Sequence, residues 1–273
     1  MHKNIDDVEF SIFDTETTGL EPESGDRIVE IAAIRFKGKQ NLATFQSLVN
    51  PQRSISEAAF QVNRITPDML NGAPTIDIVM PKFLDFIQDT CLCSYNAAFD
   101  LAFLNNELKR TGRNALGDII AVDILKMSRR LLPGLGRYAL WFVAEKLGIK
   151  SQQQHRALSD VELTLKVFHK LKEILKTKSI FDFMNFLSLF GLNSSLLNDI
   201  NNQKIARIQE AIDLGVRLKI RYLSGASAEV TERQVKPLEI KQDNGKIYLL
   251  GHCCLRQAER HFRIDGILHL EII

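Results

Sequence analysis

The chain has 273 residues, 45% of them apolar and 25% charged, a composition that excludes disordered and fibrous proteins and fits a soluble globular one. Its formal charge of +2 is too small to argue for nucleic acid by itself, and its length suits a medium domain followed by a small one. No apolar run approaches the roughly 18 residues that span a bilayer, and acids stand in "MHKNIDDVEF" where a signal peptide would be apolar, so a cytoplasmic protein without membrane contact is expected.

In chain order, "VEFSIFDTE", "RIVEIAAIRF" and "LATFQSLVN" read as strands, and the short polar loops "EPESGD" and "KGKQN" predict an antiparallel meander. A helical pattern over "TIDIVMPKFLDFIQD" leads into the apolar strand "CLCSY", after which "AFDLAFLNNELKRTG" predicts a helix stopped by Gly112. Helices are also expected over "GRYALWFVAEKLGI" and "ALSDVELTLKVFHKLKEIL". In the latter, Leu158, Val161, Leu165, Phe168 and Leu171 form an apolar stripe. The pattern is a mixed α/β layer fold.

Beyond it the character changes. Residues 176–204 read as a short helix followed by an Asn- and Ser-rich linker, and "RLKIRYLSG", "EVTERQVKPLEIKQDNG", "KIYLLGHCC" and "RHFRID" read as strands, with "DNG" a hairpin turn. The expected division is 1–175 for the first domain, 176–204 for a helical linker and 205–273 for a small β-rich domain. Residues 200–273 carry twelve Lys and Arg against nine Asp and Glu, a hint of an anionic partner. Cys91, Cys93, Cys253 and Cys254 lie in apolar strand-like segments without zinc-site spacing and are expected to be reduced packing residues.

The chemistry is carried by three short stretches. In "SIFDTETTGL", strand alternation puts Asp14 and Glu16 on the face that Phe10 and Ile12 use for burial, and two buried carboxylates side by side call for cations. In "SYNAAFD", a polar turn at Asn96 opens a helix with Asp100 in its first turn. In "HRALSD", His155 follows the polar run 151–154. Five positions turn a helix by roughly 140°, so His155 belongs on the loop or at the helix entry, while Asp160 sits on the margin of the buried stripe. Asp123, before "ILKMSRRL", reads as a helix cap.

Together "FDTETTGL", "SYNAAFD" and "HRALSD" resemble the three motifs of the DEDDh family of 3′ to 5′ exonucleases, over about residues 8–172. "VNRITPDML" and "VDILKMSRRLLPG" are similar to flanking family segments. Tyr95 stands where many relatives have histidine, and Asn63 with Arg64 replaces a frequent His-Gly pair. The resemblance implies a ribonuclease H-like mixed sheet flanked by helices. It also implies that Asp14, Glu16, Asp100 and Asp160 hold two divalent cations, Mg²⁺ or Mn²⁺, that His155 is the general base, and that nucleoside 5′-monophosphates leave a 3′ end. Thr15, Thr18 and Leu20, with Asn96, correspond to positions that meet the terminal nucleotide. The expected substrate is single-stranded or 3′-terminal DNA, with RNA as the alternative.

From about Ile208, "AIDLGVRLKIRY", "RQVKPLEI", "KIYLLGHC" and "RHFRIDGI" resemble a WYL domain, with Ile247 in place of the name-giving tryptophan. This implies a module that senses nucleic acid or a nucleotide-like ligand. Arg233, Arg260 and Arg263 form a candidate anion patch. The competing reading is a WYL-type regulatory binding protein with a vestigial nuclease fold, against which four retained carboxylates argue.

Overall fold

The computed structural model describes residues 3–150, 155–192 and 194–273. The alternation around Asp14 is realised as β1, Glu9–Thr17. Four more strands, β2 (Ile28–Lys37), β3 (Gln40–Leu48), β4 (Cys91–Ser94) and β5 (Ala121–Asp123), complete a sheet ordered β3-β2-β1-β4-β5. The β1, β2 and β3 pairings are antiparallel, as the short loops predict, while β1, β4 and β5 run parallel.

Helices cover both faces. After the short α1 (Glu57–Asn63) and α2 (Pro67–Leu70), α3 (Ile76–Ile87) and α4 (Ala97–Arg110) pack their apolar sides on Phe13, Ile31 and Ala33. On the opposite face, α5 (Ile124–Leu131), α6 (Leu140–Lys146), α7 (Ala157–Thr177) and α8 (Phe183–Phe190) enclose Phe10, Ile12 and Ile34. Phe10 and Phe13 therefore serve different cores, as a period of two requires. In α8, Phe186 and Phe190 are fully buried, and Phe186 lies edge-on to Phe10.

The Asn- and Ser-rich run read as a linker is instead the first half of α9, Ser195–Asp213. Ser194 caps it, its side chain accepting the Leu197 N–H, and Ile200, Ile208 and Ala211 are buried along it. Capping and one packed stripe outweigh the poor helix propensity of the intervening asparagines. Strands β6 (Leu218–Leu223), β7 (Val230–Asp243), β8 (Lys246–Cys253), β9 (Ala258–Arg263) and β10 (Ile267–Ile272) form a second, wholly antiparallel sheet ordered β10-β6-β7-β8-β9. Its β7–β8 hairpin turns at Asn244 and Gly245, both with positive φ, the geometry that "DNG" anticipates.

The two sheets are joined by burial as well as by chain. Leu223 and Leu268 of the second unit sit in the same core cluster as Leu131, Leu187 and Phe190 of the first. Asp265 accepts an ion pair from the nearly buried Arg130 of α5 at 3.1 Å and a second from Arg263. A Cβ on Gly266 would come within 2.7 Å of the Tyr222 ring and 3.1 Å of the Leu223 carbonyl, so close approach favours glycine there.

Candidate active site

Asp14 and Glu16 follow Phe10 and Ile12 on the face covered by α7, whose first turn delivers Asp160, 3% exposed. One carboxylate oxygen from each of Asp14, Glu16 and Asp160 lies within 4.8 Å of the other two. Asp100 stands outside that trio and comes from the opposite layer. It lies in the first turn of α4, and its Oδ1 accepts the Thr15 N–H at 3.1 Å and the Thr15 hydroxyl at 2.7 Å. The Ser94 hydroxyl donates to its other oxygen. Both layers thus send acids to the point where β1 and β4 end and the sheet changes from antiparallel to parallel pairing, a topological switch point.

Without cations this arrangement opposes its own ionisation. Burial, then repulsion from Asp100, Glu16, Asp160 and Glu30, pushes Asp14 well above the carboxylate range. Burial followed by Asp160, Glu30 and Asp100 pushes Glu16 up to about 8. Burial raises Asp100 to about 6, against the Ser94 and Thr15 hydrogen bonds that lower it. Hard oxygens that converge yet repel one another fit divalent cations.

A pH dependence follows. A carboxyl whose pKa rises on folding takes up a proton as the chain folds, so metal-free stability is highest near the unfolded carboxylate range. It falls as pH climbs from there through about 8, set by Glu16. Thermal melts in chelator should show a lower Tm at pH 8 than at pH 6, and Mn²⁺ should raise Tm more at pH 8. A metal-free Tm that rises over this interval would contradict the cluster's electrostatics.

His155 sits at the helix entrance, exposed, with a left-handed φ of 50°. The polar run before it lies outside the described residues. Its position is set by its neighbour. The Arg156 guanidinium grips Glu30 of β2 through two 2.9 Å hydrogen bonds, and the Ala157 N–H adds a third at 3.1 Å. Gln46 of β3 donates to the same carboxylate. Glu30 is fully buried and lies directly across the strand pair from Glu16. Burial raises the Glu30 pKa, but Arg156, Gln46 and Ala157 outweigh it and hold it below the usual range. Neither Glu30 nor Arg156 was singled out in the sequence, although an acid inside the apolar run "IVEIAAI" poses the same question as Asp14.

The nucleotide-contact candidates separate. Leu20 is 74% exposed at the mouth of a cavity of about 590 Å³ lined also by Glu16, Val62, Asn63 and Phe99. Asn96 is exposed at the start of α4, its left-handed backbone N–H donating to Asp123. Asp123 also caps α5 through the Leu125 N–H. Thr15 and Thr18 are both buried, at the end of β1 and just past it. The Thr15 N–H goes to Asp100 and the Thr18 N–H to the Arg27 carbonyl at 2.8 Å, so both amides are engaged within the protein. The Thr18 hydroxyl bonds Asp26, clipping the turn after β1. Asn63 is also internal, donating to the Thr17 carbonyl and accepting the Ile65 N–H. In the second unit, Arg233, Arg260 and Arg263 line one cavity of about 660 Å³ together with Arg256 and Tyr248.

A mixed sheet of this order, with acids gathered at the end of its central strand, defines a nuclease-type hydrolase. The chain belongs to the RNase_T exonuclease family, which matches residues 11–168, and a WYL domain matches residues 203–272. It is 33% identical over 280 residues to the DNA polymerase III PolC-type of Clostridium perfringens, covering 98% of this chain and 18% of that protein. It is 32% identical over 254 residues to the PolC-type of Caldanaerobacter subterraneus, covering 90% of this chain and 17% of the relative. The chain thus spans less than a fifth of the length of these relatives.

Among solved structures, exonuclease X in complex with 5′ overhanging duplex DNA is 28% identical at a TM-score of 0.50, over 62% of this chain and 93% of that one. The nuclease domain of 3′hExo, a DEDDh family member bound to rAMP, is 20% identical at a TM-score of 0.54, over 63% and 94%, and shares the fold. The ribonuclease H-like architecture implies dependence on divalent metal. Among the described residues, no helix is long and apolar enough to cross a membrane.

Proposed function

We propose that the protein is a two-cation exonuclease that releases nucleoside 5′-monophosphates from the 3′ end of DNA, with RNA as the alternative substrate. The observation that carries this reading is the approach of Asp14, Glu16 and Asp160 within 4.8 Å, with Asp100 bonded round the same strand end. These four carboxylates would hold Mg²⁺ or Mn²⁺, for which oxygen donors are suited. When bound, such ions activate water as a nucleophile and stabilise charge on the phosphate and the departing oxygen.

The chain's own residues do the rest. His155 takes the proton of the attacking water, and its entrance position lets it close over substrate. The new P–O bond forms as the bond to the 3′ oxygen of the preceding nucleotide breaks, and that oxygen leaves with a proton as a hydroxyl. The terminal base and sugar occupy the cavity beneath Leu20 and Phe99, with Asn96 beside the phosphate path. The division at 1–175, 176–204 and 205–273 is kept within this proposal, with the middle stretch acting as a packed spacer. An oligonucleotide labelled at either end, as matched DNA and RNA, tests the reading with Mn²⁺ and Mg²⁺. Mononucleotides should appear first from the 3′ end, and release first from the 5′ end would overturn it. No hydrolysis with either metal would favour the regulatory binding protein.

The arginine-lined cavity of the second unit supports a nucleic-acid or nucleotide-like ligand for the WYL domain, since guanidinium forks suit phosphate. Because Leu223 and Leu268 are buried in the shared core, point substitutions test this better than truncation. Replacing Arg233 and Arg260 with alanine should weaken strand binding and flatten its salt dependence by about 0.7 per lost phosphate contact. An unchanged slope would remove the cavity from the strand's path.

A further inference from the structure

The stretch from Ile124 to Lys150 holds six Lys and Arg and a single acid, Glu145. Two of the bases are turned inward, Arg130 onto Asp265 and Lys126 onto the Gly191 carbonyl. The other four, Arg129, Arg137, Lys146 and Lys150, are exposed. Three of these stand over aromatic rings. The Arg137 guanidinium is 5.1 Å from the Trp141 ring centre and 5.2 Å from that of Phe142, Lys146 is 5.1 Å from Phe142, and Arg129 is 5.9 Å from Tyr138. Trp141 is 39% exposed although a large apolar ring.

This face adjoins the carboxylate site. The Tyr95 hydroxyl donates to the Tyr138 carbonyl at 2.7 Å, and Tyr95 immediately precedes Asn96 and the helix that carries Asp100. On its other side, α5 reaches the second unit through Arg130 and Asp265, and Asp265 also pairs with Arg263 on the wall of the arginine-lined cavity.

We propose that the exposed face of Arg129, Arg137, Tyr138, Trp141 and Lys146 is a stacking platform for the single strand that leads away from the 3′ end. This rests on the exonuclease reading above and adds a binding surface to it. Cations set over rings offer a partner to phosphate and to base within one nucleotide step, the combination by which single strands are held without sequence preference. The carboxylate site itself repels phosphate until cations bind, so a strand needs cationic grip outside it.

Trp141 is the only tryptophan, so intrinsic fluorescence reads this face directly. A hydrolysis-resistant phosphorothioate single strand should quench it saturably, whereas a mononucleotide should not. In turnover, Trp141→Ala and Arg137→Ala should each raise KM for a long strand roughly tenfold with kcat held, the equivalent of about 1.4 kcal/mol and within the range of one lost stacked base. Trp141→Phe should retain most of the binding. The p-nitrophenyl ester of thymidine 5′-monophosphate, which fills the terminal site alone, should be hydrolysed by all three variants at the parent rate. Unaltered fluorescence on a strand that binds by anisotropy, an unchanged KM, or equal losses on both substrates would overturn the platform. Failure of the parent to hydrolyse the small ester would instead strike the exonuclease reading, while the fluorescence titration still reads the platform.

Discussion

An Asp14→Asn variant is expected to fold as the parent does yet release mononucleotides at no more than about a thousandth of the parent's rate, the scale on which losing one preorganised electrostatic stabiliser is felt. Asp14 feels the charge of Glu16, Asp100, Asp160 and Glu30, so it lies at the electrostatic centre of the site. Removing its charge should therefore move stability and activity in opposite directions. Metal-free Tm should rise, most at pH 8 where the remaining acids ionise, and the stabilisation by Mn²⁺ should shrink. Calorimetry with and without chelator, beside the end-labelled assay, measures all three. An Asn variant that keeps its turnover, or that responds to Mn²⁺ as the parent does, would take Asp14 out of the reacting centre.

The second large effect is expected far from any motif. Glu30→Gln should cost about 3 kcal/mol of stability, the lower end for a broken buried ion pair because Arg156 is 35% exposed. It should also lower kcat by about tenfold to a hundredfold, as loss of an orienting partner does. The reasoning runs through the chain. Glu30 fixes Arg156, Arg156 precedes Ala157 at the start of α7, and the preceding residue, His155, is held in a left-handed conformation that a loosened backbone would abandon. A positioning role predicts a kcat loss with Mn²⁺ affinity largely kept and a flattened acidic limb of the pH–rate profile. Glu30→Asp, which keeps the charge, should recover part of kcat. If turnover survives Glu30→Gln while Tm falls, the clamp is structural only.

What could be read from the residues was governed by period and local chemistry. A period of two was enough to put Asp14 and Glu16 on the face of Phe10 and Ile12, and the angular separation of His155 and Asp160 was enough to keep His155 out of the helix body and Asp160 within it. The parallel pair of β1 with β4, which brings Asp100 round to Thr15, could be reached only through the family resemblance, because nothing local encodes an 85-residue separation. The engaged amide of Thr15 was hidden for the same reason, while that of Thr18 depends on the geometry of the turn that returns the chain to Arg27. Arg64 shows a compensated departure. It takes a left-handed φ of 56° at the end of α1, where a glycine would be at ease, and its guanidinium bonds Gln61. The helical first half of α9 was missed because its stabilising contacts are tertiary, while its asparagines argue locally for a loop.

Leu223 and Leu268 lie among the same apolar side chains as Leu131 and Phe190, and Arg130 is nearly buried against Asp265. The nuclease and WYL halves should accordingly melt in one cooperative transition, and protease nicking near residue 194 should not liberate a durable catalytic fragment. A lesion in β10 of the WYL domain would then surface as heat lability of hydrolysis, although it lies outside the carboxylate site.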